Sequence, residues 1–234
     1  MKIEARDVDF TYEYGNGPVL SGINLYFDSD EKVALLGANG CGKTTLLKIF
    51  CGLLAPTRGT ILIDDKEVKR KPSYNFRVGF VPENPDEMFF ESTVEREISF
   101  ILKRKGENGI EEKVSNIMQR FDLYKLRNKS PFEISSGEKR KLAIASIAVA
   151  QQPLILLDEP ISGLDLSGII AVENWISCTT GIVATTHRTD FARNFDKIVL
   201  MNDGCILEEN IELNLDTYSR ELLERANVML LCRE

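Results

Sequence analysis

Gly37-Ala38-Asn39-Gly40-Cys41-Gly42-Lys43-Thr44-Thr45 has the form GxxxxGK followed by threonine, the pattern of a loop that wraps a polyphosphate. The apolar run Lys32-Val33-Ala34-Leu35-Leu36 ahead of it reads as a buried strand, and Leu46-Leu47-Lys48-Ile49-Phe50 behind it has helical spacing. Strand, glycine loop and helix in that order are what such a loop requires. The glycines let the backbone turn tightly and present successive N–H groups, and the helix adds the positive end of its dipole. Lys43 supplies a point charge over the β and γ phosphates, and the Thr44 hydroxyl is a ligand for Mg²⁺. The residues expected to hold nucleotide are therefore Asn39, Gly40, Cys41, Gly42, Lys43, Thr44 and Thr45. A glycine-rich turn that binds nothing would not need a strand and a helix on its two sides.

A second cluster lies far along the chain. Leu154-Ile155-Leu156-Leu157 is wholly apolar and reads as a parallel strand covered on both faces, with Asp158-Glu159 at its carboxyl end. That edge is where open α/β sheets bind ligands. Asp158 suits Mg²⁺ held through its water shell, and Glu159 suits polarisation of an attacking water. Ser162-Gly163-Leu164-Asp165 makes a turn before another helix. Gly181 to Thr186 is a further buried strand, and it delivers His187, the only histidine in the chain, to where a γ phosphate would lie. Lys43, Asp158 and Glu159 are expected to meet on one magnesium triphosphate.

The 234 residues suit one large domain, or one with a smaller lobe inserted; 43% hydrophobic and 28% charged content are those of a globular protein. A net charge of −7 argues against a chain built to coat nucleic acid. The first residues lack the apolar core of a signal peptide, and no apolar run approaches the roughly 20 residues that cross a bilayer. A cytosolic protein, free or peripheral, is expected. Cys41, Cys51, Cys178, Cys205 and Cys232 form no CxxC pair, which fits reduced thiols better than disulfides or a zinc site.

The remaining segments fill in the plan. Residues 2 to 8 and 23 to 27 alternate apolar with polar and predict antiparallel strands. Tyr12, between them, is either a purine-stacking aromatic or an ordinary half-buried sheet tyrosine. Thr60 to Val68 reads as a hairpin around Asp64-Asp65, and Arg77 to Val81 as a strand ended by Pro82-Glu83-Asn84-Pro85-Asp86. Two prolines so close force a loop, which puts Glu83 at a strand end where it can reach a ligand. Met88, Phe89 and Phe90 are either core or a docking surface for a partner. Residues 94 to 128 carry apolar side chains at helical spacing among many charges, including Val114, Ile117, Met118 and Phe121, and predict a small helical lobe. Ser135 and Glu138 have capping-box spacing before the helix Lys139 to Ala150, and Ser-Ser-Gly at a helix start also offers N–H groups to an anion. Phe195 to Leu200 reads as a strand, Asn202-Asp203-Gly204 as a hairpin turn, and Leu215, Tyr218, Leu222, Leu223, Ala226 and Met229 as one face of a terminal helix.

Taken in order, these segments resemble the ATP-binding subunit of an ABC transporter along nearly the whole chain. The resemblance aligns Tyr12 with the A-loop, Gly37 to Thr45 with Walker A, Glu83 with the Q-loop, Ser135 to Glu138 with the signature, Asp158-Glu159 with Walker B, Ser162 to Asp165 with the D-loop and His187 with the switch histidine. The fold it implies is α/β: a P-loop NTPase core with a mixed sheet, an N-terminal antiparallel β-subdomain and an inserted α-helical subdomain. The core would span about 1–88 and 153–210, the helical subdomain about 89–152 and a C-terminal helix about 211–231. It further implies a head-to-tail dimer closing on two ATP molecules. Glu159 would be the general base, Asp158 and Thr44 would serve Mg²⁺, and His187 would face the γ phosphate and water. Ser135 and Gly137 would meet the partner's ATP, and Asp165 would communicate across the dimer.

Asn84-Pro85-Asp86-Glu87-Met88-Phe89 also looks like the loop of the energy-coupling-factor subgroup, which takes up vitamins and transition-metal ions. That resemblance implies a second ATPase subunit, identical or different, a transmembrane transporter subunit, and a place on the cytoplasmic face of the membrane. Two positions depart from the family. Glu83 stands where glutamine is usual, bringing a carboxylate beside Mg²⁺ and triphosphate, and Ser136 and Glu138 replace glycine and glutamine in the signature. Two other readings remain: a non-transport ABC ATPase acting on DNA or ribosomes, and a regulatory nucleotide-binding subunit with little hydrolysis. The first is disfavoured by the short helical lobe and the single cassette.

Overall fold

Alternation in the first thirty residues becomes a strand pair, β1 (Lys2–Phe10) antiparallel to β2 (Leu20–Asp28). The computed structural model describes residues 1–15, 17–68, 77–211 and 217–228. Ile3, Ala5, Val8 and Phe10 are the buried side of β1, so the inward set slips by one between Ala5 and Val8. A bulge absorbs the extra residue: Asp7 adopts φ 47, its N–H donates to Asn24 Oδ1 at 3.0 Å, and Asn24 Nδ2 donates back to Asp7 Oδ1 at 2.9 Å.

β3 (Lys32–Leu36), α1 (Lys43–Phe50), β4 (Arg58–Ile63) and the two-residue β5 (Lys66–Glu67) follow. β2-β1-β4-β5 form an antiparallel sheet, and Asp64 and Asp65, at φ 49 and 59, make the tight turn between β4 and β5.

The next segment holds the helices. β6 (Val78–Val81) leads to a 3₁₀ turn at Pro85–Glu87, then α2 (Val94–Lys105), α3 (Ile110–Arg120), α4 (Ser136–Ala148), β7 (Leu154–Leu157) and α5 (Leu166–Ser177). β7 runs parallel to β6, and all four of its residues are buried, as a wholly apolar strand demands. α2 is capped by Thr93, whose hydroxyl accepts from Arg96 N–H at 3.3 Å, and stops at Gly106 in the left-handed region. Of the stripe the sequence spacing predicts, Val114, Met118 and Phe121 are buried and Ile117 is half-buried; Val94, Ile98 and Leu102 of α2 are buried as well.

The Met88-Phe89-Phe90 trio divides. Phe89 is buried with its ring edge toward Phe132, whereas Phe90 is 60% exposed with its ring against Phe100.

β8 (Ile182–Thr186), α6 (Thr189–Ala192), β9 (Lys197–Asn202), β10 (Cys205–Glu209) and α7 (Thr217–Arg225) complete the order. β8 and β9 flank β3 in parallel, and β10 returns antiparallel to β9 through Asp203 and Gly204, at φ 45 and 77. Parallel strands with an antiparallel edge make this a mixed sheet. Leu222, Leu223 and Ala226 are buried, while Leu215, Met229 and the Tyr218 side chain lie outside the described residues.

By contacts the chain divides into two compact units, Met1–Asn75 with Thr180–Glu234, and Phe76–Thr179.

Candidate active site

In the first unit the phosphate loop bridges β3 and α1. Gly42 caps the helix at φ 101, where a Cβ would lie 2.7 Å from Leu20 Cδ2 and 2.9 Å from Val19 O, so this position combines a left-handed backbone with no room for a side chain. At Gly37 a Cβ would lie 2.5 Å from Met201 O. The loop's geometry is thus set by its neighbours. Gly37 N–H donates to Thr186 O at 3.2 Å, tying the loop's first residue to the end of β8, and Gly204 N–H donates to Cys41 O at 3.1 Å, so the β9–β10 turn props its middle.

Lys43 is buried, with Nζ donating to Gly37 O at 2.7 Å and Ala38 O at 2.9 Å; the ammonium is held over the loop's opening residues. Asn39 and Gly40 are exposed, Thr44 is half-buried and Thr45 is buried. Burial pushes the Cys41 thiol pKa up, with Lys43 pulling the other way.

Tyr12 and Thr45 meet: their hydroxyls are 3.2 Å apart. The Tyr12 ring also packs edge-on to Phe10 at 4.7 Å and lines a cavity of about 690 Å³ with Tyr14, Leu54 and Ala55. His187 follows directly after Thr186, exposed, just beyond the strand whose last carbonyl anchors Gly37.

The second unit carries the acidic cluster. Asp158 and Glu159 are both buried at the end of β7, and Asp158 N–H donates to Val81 O at 2.9 Å. Glu159 sits at φ 46, left-handed backbone that a non-glycine residue adopts only when its surroundings hold it there, at a cost of about 1–3 kcal/mol.

α4 organises the rest of this unit. Ser135 caps it in a complete capping box: Ser135 Oγ accepts from Glu138 N–H at 3.3 Å, and Glu138 Oε2 accepts from Ser135 N–H at 2.7 Å. The Ser135 N–H, first among the causes, holds the Glu138 carboxyl below its ordinary pKa. Gly137 lies on this first turn beside the Gly163 turn, where its Cβ would be 3.6 Å from Gly163 O. Asp165 caps α5, accepting from Gly168 N–H at 2.8 Å and Ser167 Oγ at 3.0 Å, and these donors, the Gly168 N–H above all, depress its pKa.

The residue that sequence reading missed is Arg140. It is 5% exposed and reaches from α4 to both neighbouring strand ends, donating to Pro82 O at 2.9 Å, to Glu83 O and to Asp158 O at 3.5 Å. Beside it, Lys139 pairs with Asp86 at 2.8 Å. Glu83 is exposed, its backbone fixed by Arg140. Within Lys139-Arg140-Lys141 every member lies three and four residues before buried side chains of the run Leu142 to Ala145, so helical periodicity does not single out Arg140.

The sequence family described as ABC transporter matches residues 20–162. A Pyrococcus furiosus protein named as an ABC transporter ATP-binding protein is 37% identical over 99% of this chain and 92% of its own length. The energy-coupling factor transporter ATP-binding protein EcfA of Methanocaldococcus jannaschii is 34% identical, covering 97% of this chain and 85% of its own. Among solved structures, cbiO1 from Clostridium perfringens, described as part of the ABC transporter complex cbiONQ, superposes with a TM-score of 0.74 at 28% identity over 89% of this chain and 87% of that one.

Proposed function

The chain belongs to the ABC transporter family and is an ABC ATPase, and from that premise we propose that it is the ATP-binding subunit powering an energy-coupling-factor type importer. The observation that carries the reading is the phosphate loop, with its left-handed Gly42, its buried Lys43 and its anchors to Thr186 and Gly204. Similarity to EcfA and to a component of the cbiONQ complex supports the transporter subgroup.

Each residue has its role in this reading. Backbone N–H groups from Asn39 to Thr45 and the Lys43 ammonium hold the phosphates. Tyr12 stacks on the base. Glu159 takes the proton of the water that attacks the γ phosphorus as ADP leaves, and His187 orients that water and phosphate. The Thr44 hydroxyl and the Asp158 and Glu83 carboxylates are oxygen donors of the kind Mg²⁺ prefers. Among the described residues no group of three or more His, Cys, Asp or Glu could hold a metal ion, and Mg²⁺ takes few protein ligands, keeping water and phosphate oxygens for the rest. When bound it supplies charge neutralisation at the phosphates.

The partners are a second ATPase subunit, whose ATP meets Ser135 and Gly137 and across to which Asp165 communicates, and a transmembrane subunit. No described helix is long and apolar enough to cross a membrane, which fits a peripheral subunit on the cytoplasmic face. The net charge of −7 disfavours a nucleic-acid partner. A weakly hydrolysing regulatory subunit is the second reading, favoured by Glu83 and by Ser136 and Glu138 in the signature.

Affinity purification of the tagged chain from detergent-solubilised membranes tests the proposal. Recovery of a multi-spanning membrane protein together with ATP hydrolysis is the expected result. A chain that purifies without any membrane protein, or is indifferent to adenine nucleotides, would refute it.

A further inference from the structure

Arg140 is a nearly fully buried cation in a helix whose remaining inward residues are apolar or small, among them Leu142, Ala143, Ile144 and Ala145. A cation so placed costs free energy unless charge and hydrogen bonds compensate it. The hydrogen bonds are to main chain: Nη1 to Pro82 O and Asp158 O, Nη2 to Glu83 O, while Nε is buried with no partner among the described residues. The compensating charges are three carboxylates from two segments, Glu83 after β6 and Asp158 and Glu159 after β7. Burial lowers the Arg140 pKa, and these three, Glu83 foremost, oppose the shift. Fork and charge thus act on the same two loops.

We propose that Arg140 is a positioning residue for hydrolysis: its guanidinium ties the Pro82–Glu83 loop to the Asp158–Glu159 strand end, and its charge offsets the Glu83 carboxylate so that Glu159 keeps its working place. The inference rests on the reading that Glu159 is the general base.

The test compares Arg140→Gln, Arg140→Lys, Glu83→Gln and the double variant Arg140→Gln/Glu83→Gln in the full chain. It measures steady-state kcat and KM for ATP, affinity for a fluorescent ATP analogue, and thermal melting. Arg140→Gln, which keeps amide donors and loses the charge, is expected to lower kcat about 10–100-fold, as lost support around a site does. Its nucleotide affinity should stay within about threefold, because the phosphate loop is untouched. Glu83→Gln removes the charge and keeps an amide oxygen as a donor for Mg²⁺, so adding it should return at least about tenfold of the lost kcat, and Arg140→Lys should lose far less than Arg140→Gln. A purely structural strut would not be rescued by removing the Glu83 charge, so losses that multiply in the double variant overturn the proposal. So does an Arg140→Gln chain with full kcat. If Arg140→Gln alone does not fold, the double variant is expected to, since the uncompensated carboxylate is gone; failure of both also overturns it. Glu159→Gln separates the two readings: if it stays active, the general-base assignment has failed, and if it is inactive beside an unimpaired Arg140→Gln, only the role of Arg140 has.

Discussion

The Tyr12 hydroxyl lies 3.2 Å from the Thr45 hydroxyl, joining the segment after β1 to the first turn of the phosphate-loop helix. With its ring braced by Phe10 and 41% of its surface open, Tyr12 is a fixed aromatic face beside a cavity. Tyr12→Ala is expected to weaken ATP binding by about 1–3 kcal/mol, the range of base–aromatic stacking. Tyr12→Phe, which keeps the face and loses the hydroxyl contact, should lose about 1 kcal/mol or less. Titration with a fluorescent ATP analogue checks both, and equal affinities for native chain and Tyr12→Ala would make Tyr12 an ordinary sheet tyrosine.

Glu159→Gln should leave nucleotide affinity intact and lower turnover by about 10²–10⁴-fold, because the substitution removes a proton acceptor without disturbing the phosphate loop. Single-turnover hydrolysis alongside equilibrium binding distinguishes this from loss of binding.

The capping box makes a pH-dependent contribution to stability. The Glu138 pKa is lower in the folded chain than its ordinary value of 4.5, so the stabilisation is present above that value and is lost as pH falls through the lower folded pKa. Glu138→Gln should flatten this part of the acid limb of melting temperature against pH. Ser135→Ala should cost about 1 kcal/mol at neutral pH. If Ser135 also serves a partner's nucleotide, its hydrolysis defect will persist at temperatures where the variant is fully folded.

Cys41 is 4% exposed and its thiol pKa is raised, so thiolate is scarcer at neutral pH than for a free cysteine, and alkylation should accelerate as pH rises toward the shifted value. Exposed Cys178 is the internal reference. Peptide mass spectrometry should find Cys41 modified later than Cys178 and protected by ATP. Modification without loss of nucleotide binding would contradict the assignment of Cys41 to the nucleotide-holding loop.

The parts of the fold that were legible in the sequence are those governed by neighbours along the chain. The strand Leu154–Leu157, the capping box of Ser135 and Glu138 and the turns at Asp64-Asp65 and Asp203-Gly204 all follow from local periodicity or turn chemistry. What was hidden depends on distant partners. The inward set of β1 shifts because Asn24, seventeen positions away, bonds Asp7. Phe89 and Phe90, adjacent in the chain, meet different rings outside the loop, Phe132 and Phe100. Arg140 reads as one cation in a basic triplet until the carbonyls of Pro82, Glu83 and Asp158 give it something to hold.

The left-handed backbone at Glu159 has a consequence for robustness. Glycine suits φ 46 better than any side chain does, so Glu159→Gly would relieve the backbone cost while taking away one of the carboxylates that offset buried Arg140 and the acceptor for the water's proton. The native residue thus keeps a costly backbone conformation in exchange for a charge that both its buried neighbour and the chemistry use.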